Sequence, residues 1–432
     1  MSGKSLLAFL FTLLWVTGYA QQKAEQMPLS RAIQLSLANN EQLRIANYKV
    51  RTATANLTEA KGRRLPDASV SGSYMRLNEA NIKMANPGQG SEGGPKVDQV
   101  VYGMINASYP IYTGGKIRYG IESAQYLEEA ARLEVHGSKD AVALNTMEAY
   151  AALYKASMAV DVIKDNLKAS MHRDTTFARM EENGLMARND LLKSQLQTAN
   201  IRLALMEAES NLNVANKNMD ILLGLPEDYL LIVDSSFVVY PEDDPVEDLQ
   251  SVLSARSDLQ ALEYQQKAAS VMTKITKADG LPSIAVTGGY VAADIPGLIS
   301  VTNAVNVGIG VNYNLASLWK ENTGRARAEA RELELQANRD QLTDQIRMQI
   351  NKESEAFELA KRKVGLYEAS IIQAAENFRI TKNKYDNSLV NVTDLLDADV
   401  ALLQARLSQK MARVDAAIAY QRLLKTTGQL SY

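Results

Sequence analysis

The chain has 432 residues, of which 46% are hydrophobic and 22% are charged, a composition typical of a folded protein of two or three average domains. A formal net charge of −3 gives no basic field for nucleic acid, and the absence of cysteine excludes disulfides and thiolate metal sites. After the N-terminus no segment offers about 18 consecutive apolar residues, which excludes a helical membrane protein.

Residues 1–20 have the pattern of a cleaved export signal. Lys4 precedes the apolar run Leu6–Val16, and the small residues Gly18 and Ala20 stand at the positions that signal peptidase requires before Gln21. The apolar run is too short to cross a bilayer as a helix, which takes about 20 residues. We therefore expect an exported mature chain.

The chain then repeats itself. The stretch Asn183–Arg202 (NGLMARNDLLKSQLQTANIR) resembles Asn387–Arg406 (NSLVNVTDLLDADVALLQAR) at an offset of 204, and Leu65-Pro66 resembles Leu281-Pro282 at an offset of 216. A duplication of this length indicates that each half builds the same structural unit. We predict a first repeat at residues 21–226, a linker segment at 227–250 and a second repeat at 251–432.

Each repeat is predicted to contain two strands followed by two long helices. The strands are expected at about residues 67–77, 100–112, 283–293 and 303–315, and the helices at about 116–182, 185–223, 323–385 and 389–427. Polar Gly/Pro loops, Asn78–Asp98 and Asp294–Thr302, are expected to join the strands of each pair. The first long helix would reach roughly 100 Å, far more than a globular domain of this size is wide. An elongated coiled coil is the alternative for the helices taken alone.

The strands favour a membrane barrel. From Asn303 to Leu315 apolar residues alternate without exception with Asn and Gly, so that Val307, Ile309 and Val311 share one face. Strands of about 10 residues that are apolar on one face and small or polar on the other are typical of an outer-membrane barrel wall. A membrane sheet must close on itself, and the smallest bacterial barrels have about eight strands. Four strands per chain would be completed by one or by two further chains.

In these features the chain resembles the TolC-like outer-membrane efflux protein family over essentially its whole mature length. The shared features are the export signal, the two repeats, the Leu-Pro strand entries, Gly114-Gly115-Lys116 before a long helix, the Asp-Leu-Leu helix starts, and Leu223-Gly224-Leu225-Pro226 at the end of the first repeat. The resemblance implies a mainly α fold with a membrane β-barrel: a homotrimer with a twelve-stranded barrel in outer-membrane lipid and a helical coiled-coil barrel in the periplasm. It implies a periplasmic adaptor and an inner-membrane transporter as partners.

The resemblance also assigns a gate. Asn183-Gly184 and Asn387-Ser388 would be the turns at the periplasmic tip, where the tunnel narrows. Asp394 and Asp397, three residues apart on one helix face, match the paired aspartates that ring the closed aperture of the family's archetype.

Asp190 and Tyr385 match two residues that the archetype bonds across neighbouring helices to hold the tip shut. Val390 stands where the archetype has a gate arginine, so one locking contact is expected to be missing. The alternative is that Asp394 and Asp397 are solvated first-turn residues favoured by the helix dipole.

No enzyme chemistry is predicted. His136 and His172 lie about 54 Å apart on one predicted helix and cannot share a metal, and Thr113-Gly114-Gly115-Lys116 lacks the first glycine of a P-loop. We expect neither a cofactor nor a resident metal. The function predicted is a passive exit duct of a tripartite efflux pump. A duct of the same fold for type I protein secretion and a soluble periplasmic coiled-coil adaptor or scaffold are the alternatives.

Overall fold

The computed structural model of the chain describes residues 24–81, 96–226, 229–241, 248–318 and 323–432. The predicted export signal at 1–20 lies outside these ranges, as do residues 82–95 of the first predicted loop and residues 242–247 of the predicted linker. The chain divides into two compact units. Unit 1 contains the N-terminal residues up to Ile45, residues 136–256 and residues 344–432. Unit 2 contains residues 46–135 and 257–343.

The elements alternate between short strand pairs and helices of up to 67 residues. The strands are β1 Ala24–Gln26, β2 Asp67–Asn81, β3 Lys96–Tyr112, β4 Leu230–Ile232, β5 Ser283–Ile295 and β6 Ile299–Asn312. The helices are α1 Leu29–Asn39, α2 Glu41–Gly62, α3 Lys116–Glu182, α4 Arg188–Leu223, α5 Leu249–Ala255, α6 Ser257–Ala278, α7 Thr323–Asp386 and α8 Val392–Thr426. Within the described ranges, no helix combines the length and the apolar composition required to cross a membrane.

Unit 2 is built around a four-stranded antiparallel sheet in the order β2-β3-β5-β6. A single row of cross-strand pairs runs through all four strands, from Val70 to Ile105 to Tyr290 to Val305. Because successive side chains of a strand point to opposite faces, this row and its alternate neighbours form one face of the sheet. The outer edges of β2 and β6 have no partner strand within the described part of the chain.

One face of this sheet exposes large apolar side chains. Val307 is 80% exposed, and Val305, Ile309 and Val311 beside it on β6 are all at least two-thirds exposed. In a water-soluble protein such a row would be packed against a core, since each fully buried Val or Ile contributes about 1.5–3 kcal/mol. The alternation seen in the sequence therefore produces an apolar face that the described part of the chain does not cover.

The turn between β5 and β6 is much shorter than the predicted loop Asp294–Thr302. The strands continue to the pair Ile295–Ile299, and only three residues, Pro296 to Leu298, lie between them. Pro296 and Gly297 occupy the two central positions of a turn closed by a hydrogen bond from Leu298 N to Ile295 O of 3.0 Å, and Gly297 has φ 79°. This is the residue order that a type II turn requires. At its other end β6 stops at Asn312 rather than at the predicted Leu315. A 3₁₀ turn begins at Leu315.

Unit 1 has its core where α1, α3 and α4 meet the small parallel pair β1–β4. Tyr150, Met219 and Leu223 are fully buried there. The Tyr150 hydroxyl donates to the Met27 carbonyl at 2.8 Å and accepts from Asp234 N at 3.0 Å. The segment predicted as a linker thus supplies a strand, β4, to this core.

Candidate gate at the two helix turns

The first turn between long helices is closed by a complete helix-ending motif. Gly184 has φ 71°, and its N–H donates to Glu181 O at 2.9 Å, while Leu185 N donates to Met180 O at 2.8 Å. These are the two backbone hydrogen bonds of a Schellman motif, which satisfies carbonyls that the helix end leaves free. The next helix begins at Arg188 rather than at 185, because Leu185 is used in closing the turn.

The second turn repeats this geometry 204 residues later. Ser388 N donates to Tyr385 O and Leu389 N to Lys384 O, both at 2.8 Å, and α8 begins at Val392 rather than at 389. Asn387 caps Asn383 O with its side-chain amide at 2.7 Å, as Asn183 caps Arg179 O at 2.6 Å. Ser388 has φ 60°, a left-handed conformation that is strained for a residue other than glycine.

Asp394 has a structural role at the start of α8. Asp394 N donates to Asn391 Oδ1 at 3.0 Å, and Asn391 N donates to Asp394 Oδ2 at 3.2 Å. This reciprocal pair is a capping box, which satisfies two N–H groups at the helix start. The Asp394 side chain is exposed, so one carboxylate oxygen remains on the surface of the turn.

Asp397 lies one helical turn after Asp394 on the same exposed stripe of α8, while Leu395, Leu396 and Ala398 are buried. Among the described residues the Asp397 carboxylate has no hydrogen bond and no ion pair. Two carboxylates therefore face solvent together at this turn. The burial pattern alone fits both the aperture interpretation and that of a solvated first turn.

Asp190 and Lys193 connect the two turns. Lys193 Nζ lies 3.4 Å from Asp190 Oδ1 on its own helix, α4, and 3.3 Å from Thr393 Oγ1 on α8. The lysine thus places a positive charge between the carboxylate of Asp190 and the residue that precedes Asp394. Both side chains of the ion pair are partly exposed, so its contribution to stability is small, at most about 1 kcal/mol.

Tyr385 packs into the apolar cluster beneath the turns. Its ring centroid lies 5.6 Å from that of Phe177, in a cluster that also contains Leu191, Val392 and Leu395. Burial raises the pKa of the Tyr385 hydroxyl, and the negative charges of Asp190 and Asp386 raise it further. The phenol is thus held neutral beside the Asp190 carboxylate. Of the four residues predicted for the gate, Asp190 and Tyr385 therefore lie within electrostatic reach of each other.

A buried polar network below the turns was missed from the sequence. Arg173 Nη1 of α3 donates to Asp399 Oδ2 of α8 at 2.8 Å, and Arg173 Nη2 donates to Ser170 Oγ at 3.1 Å. Asn166 Nδ2 lies 3.4 Å from Asp399 Oδ1, and the Ser170 and Thr198 hydroxyls share a short hydrogen bond. The sequence did carry one signal for this network, the position of Asp399. This residue falls in the stripe of Leu395, Leu396 and Leu402, which is buried, and a buried charged residue requires a partner.

The chain matches the family described as outer membrane efflux protein over residues 32–225 and 249–429. It is 23% identical to the outer membrane efflux protein BepC of Brucella suis biovar 1 (strain 1330) over 427 residues, covering 95% of this chain and 87% of BepC. The two matched segments correspond to the two halves of the sequence duplication.

Two solved outer-membrane channels share the fold. CmeC of Campylobacter jejuni superposes with a TM-score of 0.80 at 19% identity, covering 93% of this chain and 85% of CmeC. The open state of MtrE of Neisseria gonorrhoeae superposes with a TM-score of 0.76 at 18% identity, covering 93% of this chain and 88% of MtrE.

The family match spans both halves of the chain, and it supports the outer-membrane channel over the soluble adaptor that the helices alone left open. The resemblance found in the sequence is thereby confirmed, together with the mainly helical fold that carries a small antiparallel sheet. This chain belongs to the outer membrane efflux protein family.

Proposed function

We propose that three copies of this chain form the exit duct of a tripartite efflux pump, which passively conducts substrates delivered by a periplasmic adaptor and an inner-membrane transporter. The observation that carries the proposal is the four-stranded sheet of unit 2. Its two edges are unpaired within the described chain, and one of its faces is apolar and exposed. Lipid would cover that face, and strands of neighbouring copies would pair with the edges, since an open edge cannot persist in a bilayer.

The helices of unit 1 support self-association independently of the sheet. Helix α4 exposes Leu192, Leu196, Leu203 and Met206, each more than half exposed, at spacings of three, four and seven residues. Helix α7 exposes Leu359 and Leu366, seven residues apart. Exposed apolar seams at these spacings are the pattern of coiled-coil contacts. We propose that seams of neighbouring copies pack on each other and close the helical tunnel.

The turns would form the aperture of this duct. In a trimer, Asp394 and Asp397 contribute six carboxylates around one axis, where like charges repel and favour bound cations. The exposed, unpaired state of Asp397 and the exposed Asp394 oxygen support this assignment.

We further propose that Lys193 contributes to the lock. Val390 cannot form the ionic contact that an arginine would make at that position, but Lys193 bridges Asp190 to Thr393 next to the aspartate pair. Tyr385, held neutral against Phe177 and near Asp190, would fix the second helix pair to the first. The gate would then depend on a lysine of α4 rather than on an arginine beside Asp394.

The architecture is tested by purification from membranes. We expect extraction to require detergent, the purified protein to be a trimer, and planar bilayers containing it to show single-channel conductance. A monomer released without detergent, or a dimer, would refute the proposal. The matched variant Val307→Asp, which places a charge on the exposed apolar face, should lower the trimer yield, whereas Asn306→Asp on the opposite face should not.

A further inference from the structure

The junctions between strands and helices in unit 2 are rich in positive charge. Among the described residues, the cations in the segments between strands and helices, or in the one or two adjoining helical turns, are Lys61, Arg63 and Arg64 before β2, Lys116 and Arg118 after β3, Lys274 and Lys277 before β5, and Arg325 and Arg327 after β6. Every one of the four junctions therefore carries at least two basic residues.

Helix dipoles explain only some of these residues. Lys61 and Lys277 lie in the last turns of α2 and α6, where the dipole favours a cation. Arg118 and Arg327 lie near the starts of α3 and α7, where the helix dipole favours an anion. The first turns of both helices contain no acidic residue. A cation is retained at these positions against the preference of the helix.

Ion pairing accounts for others, but three of the arginines, Arg64, Arg118 and Arg327, form no ion pair with the residues that the structure describes. Lys116 pairs with Asp279 at 2.8 Å and Arg63 with Glu59 at 3.0 Å. Arg64 and Arg118 form no ion pair with any residue that the structure describes. Their positive charge is therefore available to an external anion.

These two arginines meet in a cleft. Lys61, Arg64 and Arg118 line an open cleft of about 350 Å³ between the end of α2 and the start of α3, together with Glu122, Gln125 and the buried Ile121. Three positive charges face a single carboxylate, and Glu122 already accepts a weak hydrogen bond from Tyr126 at 3.5 Å. Guanidinium groups bind phosphate oxygens with two parallel N–H donors, so a pair of arginines beside a lysine suits a phosphate group.

The surroundings favour a membrane lipid as the source of such a phosphate group. Arg64 lies three residues before β2, and Leu65 between them is exposed. Tyr109 and Tyr112, both exposed, end β3 just before Arg118. Exposed tyrosines next to an apolar sheet face mark the level of lipid headgroups, and basic side chains at that level attract anionic lipid.

We propose that the cleft formed by Lys61, Arg64 and Arg118 binds the phosphate headgroup of an anionic phospholipid in the membrane leaflet next to the strand–helix junctions. The proposal rests on the proposed function, because it requires the sheet to lie in a bilayer. The lipid would hold α2 and α3 together where the chain leaves the membrane.

The test measures lipid binding to the detergent-purified trimer by native mass spectrometry, with phosphatidylglycerol compared with phosphatidylcholine. We expect phosphatidylglycerol to bind more tightly, and the variant K61Q/R64Q/R118Q to weaken its binding by about tenfold or more. The control K164Q/R202Q/R406Q removes the same charges from exposed positions of α3, α4 and α8 and should bind as the parent does. The single variant R64Q is measured too, in case the triple variant assembles poorly.

Three results would overturn the proposal. The first is unchanged phosphatidylglycerol binding in both K61Q/R64Q/R118Q and R64Q, and the second is equal affinity for the two lipids. The third is displacement of phosphatidylglycerol by millimolar inorganic phosphate, which would assign the cleft to soluble phosphate. Each of these is compatible with a conducting trimer. Failure of the proposed function has a different signature, a protein that needs no detergent.

Discussion

Arg173 and Asp399 form an ion pair of 2.8 Å between α3 and α8, with side chains only 13% and 11% exposed. Asp399 lies two residues after Asp397, so the pair holds the helix that presents the two exposed aspartates. Two charges removed from water are stable only while each has its partner. Arg173 Nε and Asn166 Oδ1 nearby are buried without a hydrogen-bond partner among the described residues, so this network is incompletely satisfied.

Breaking this pair from one side should destabilise unit 1 strongly. Asp399→Asn leaves the buried Arg173 charge uncompensated and should lower the free energy of unfolding by about 3–5 kcal/mol, whereas the double variant Arg173→Met, Asp399→Leu should recover most of that loss. The midpoint of thermal unfolding, followed by circular dichroism, measures both. Removing the exposed pair Arg413–Glu368 is the control and should change the midpoint little. A double variant as unstable as the single one would show that the pair is not the cause.

Both turns should be more stable with glycine at the left-handed position, Gly184 in the first turn and Ser388 in the second. Ser388→Gly should stabilise the second turn by about 0.5 kcal/mol, because relief of a left-handed residue, about 1–2 kcal/mol, exceeds the extra freedom of glycine in the unfolded chain. Gly184→Ala should destabilise the first turn by about 1 kcal/mol, although a Cβ there would meet no atom within 4 Å. Hydrogen exchange of the amides around each turn reports the change. Equal protection in all three proteins would contradict the strain at Ser388.

The sheet offers a test of its two faces. If the exposed apolar face contacts lipid, Ile309→Arg should lower the stability of the membrane-embedded protein by about 2–4 kcal/mol. Gly308→Ala on the opposite face should be mild, because the nearest atom to a new Cβ is Thr287 Oγ1 at 3.9 Å. Gly289→Ala should be severe, since its Cβ would lie 2.8 Å from the backbone oxygen of Ile105. The yield of heat-resistant oligomer ranks the three. Similar damage from Ile309→Arg and Gly308→Ala would contradict the assigned faces.

The aspartate pair is best tested with asparagine. Asp394→Asn with Asp397→Asn removes six charges per trimer, but an asparagine side chain can still accept the hydrogen bond from Asn391 N and keep the capping box. We expect block of the single-channel current by a trivalent cation, added from the side of the turns, to disappear. Should the block persist in this variant, the two aspartates are helix-start residues and the cation site lies elsewhere.

The contacts between the turns should affect the open state instead. Lys193→Gln and Asp190→Asn weaken the ion pair on α4, and Tyr385→Ala removes a ring from the cluster around Phe177; all three variants retain the aspartate pair. A two-state tip would then open more often, raising the conductance while the cation block remains. Planar-bilayer recordings separate the two classes. Loss of block in any of these three variants would show that they act on the cation site itself.

Sequence periodicity by itself determined the strands, the long helices and the duplication, because alternation at two residues and spacing at three and four residues are local properties of a chain. The family resemblance placed the two turns, at Asn183-Gly184 after the first long helix and at Asn387-Ser388 after the third. What the periodicity misjudged were lengths and ends. The loop Asp294–Thr302 is mostly strand, because a Pro-Gly turn needs only three residues. Helices α4 and α8 start three residues later than predicted, because Leu185 and Leu389 complete the preceding turns.

Only the tertiary structure decided which polar residues meet. Arg173 and Asp399 are 226 residues apart, Lys193 and Thr393 are 200 apart, and Arg64, just after the end of α2, lies 54 residues before Arg118 of α3. Each pairing depends on the rotation of one helix against another, which is set by the packing of apolar side chains between them and leaves no local pattern. The capping box of Asn391 and Asp394 is a local pair, but it could be recognised only once the structure had placed the start of α8 at Val392; Asp397, one turn further along the helix, lies outside it.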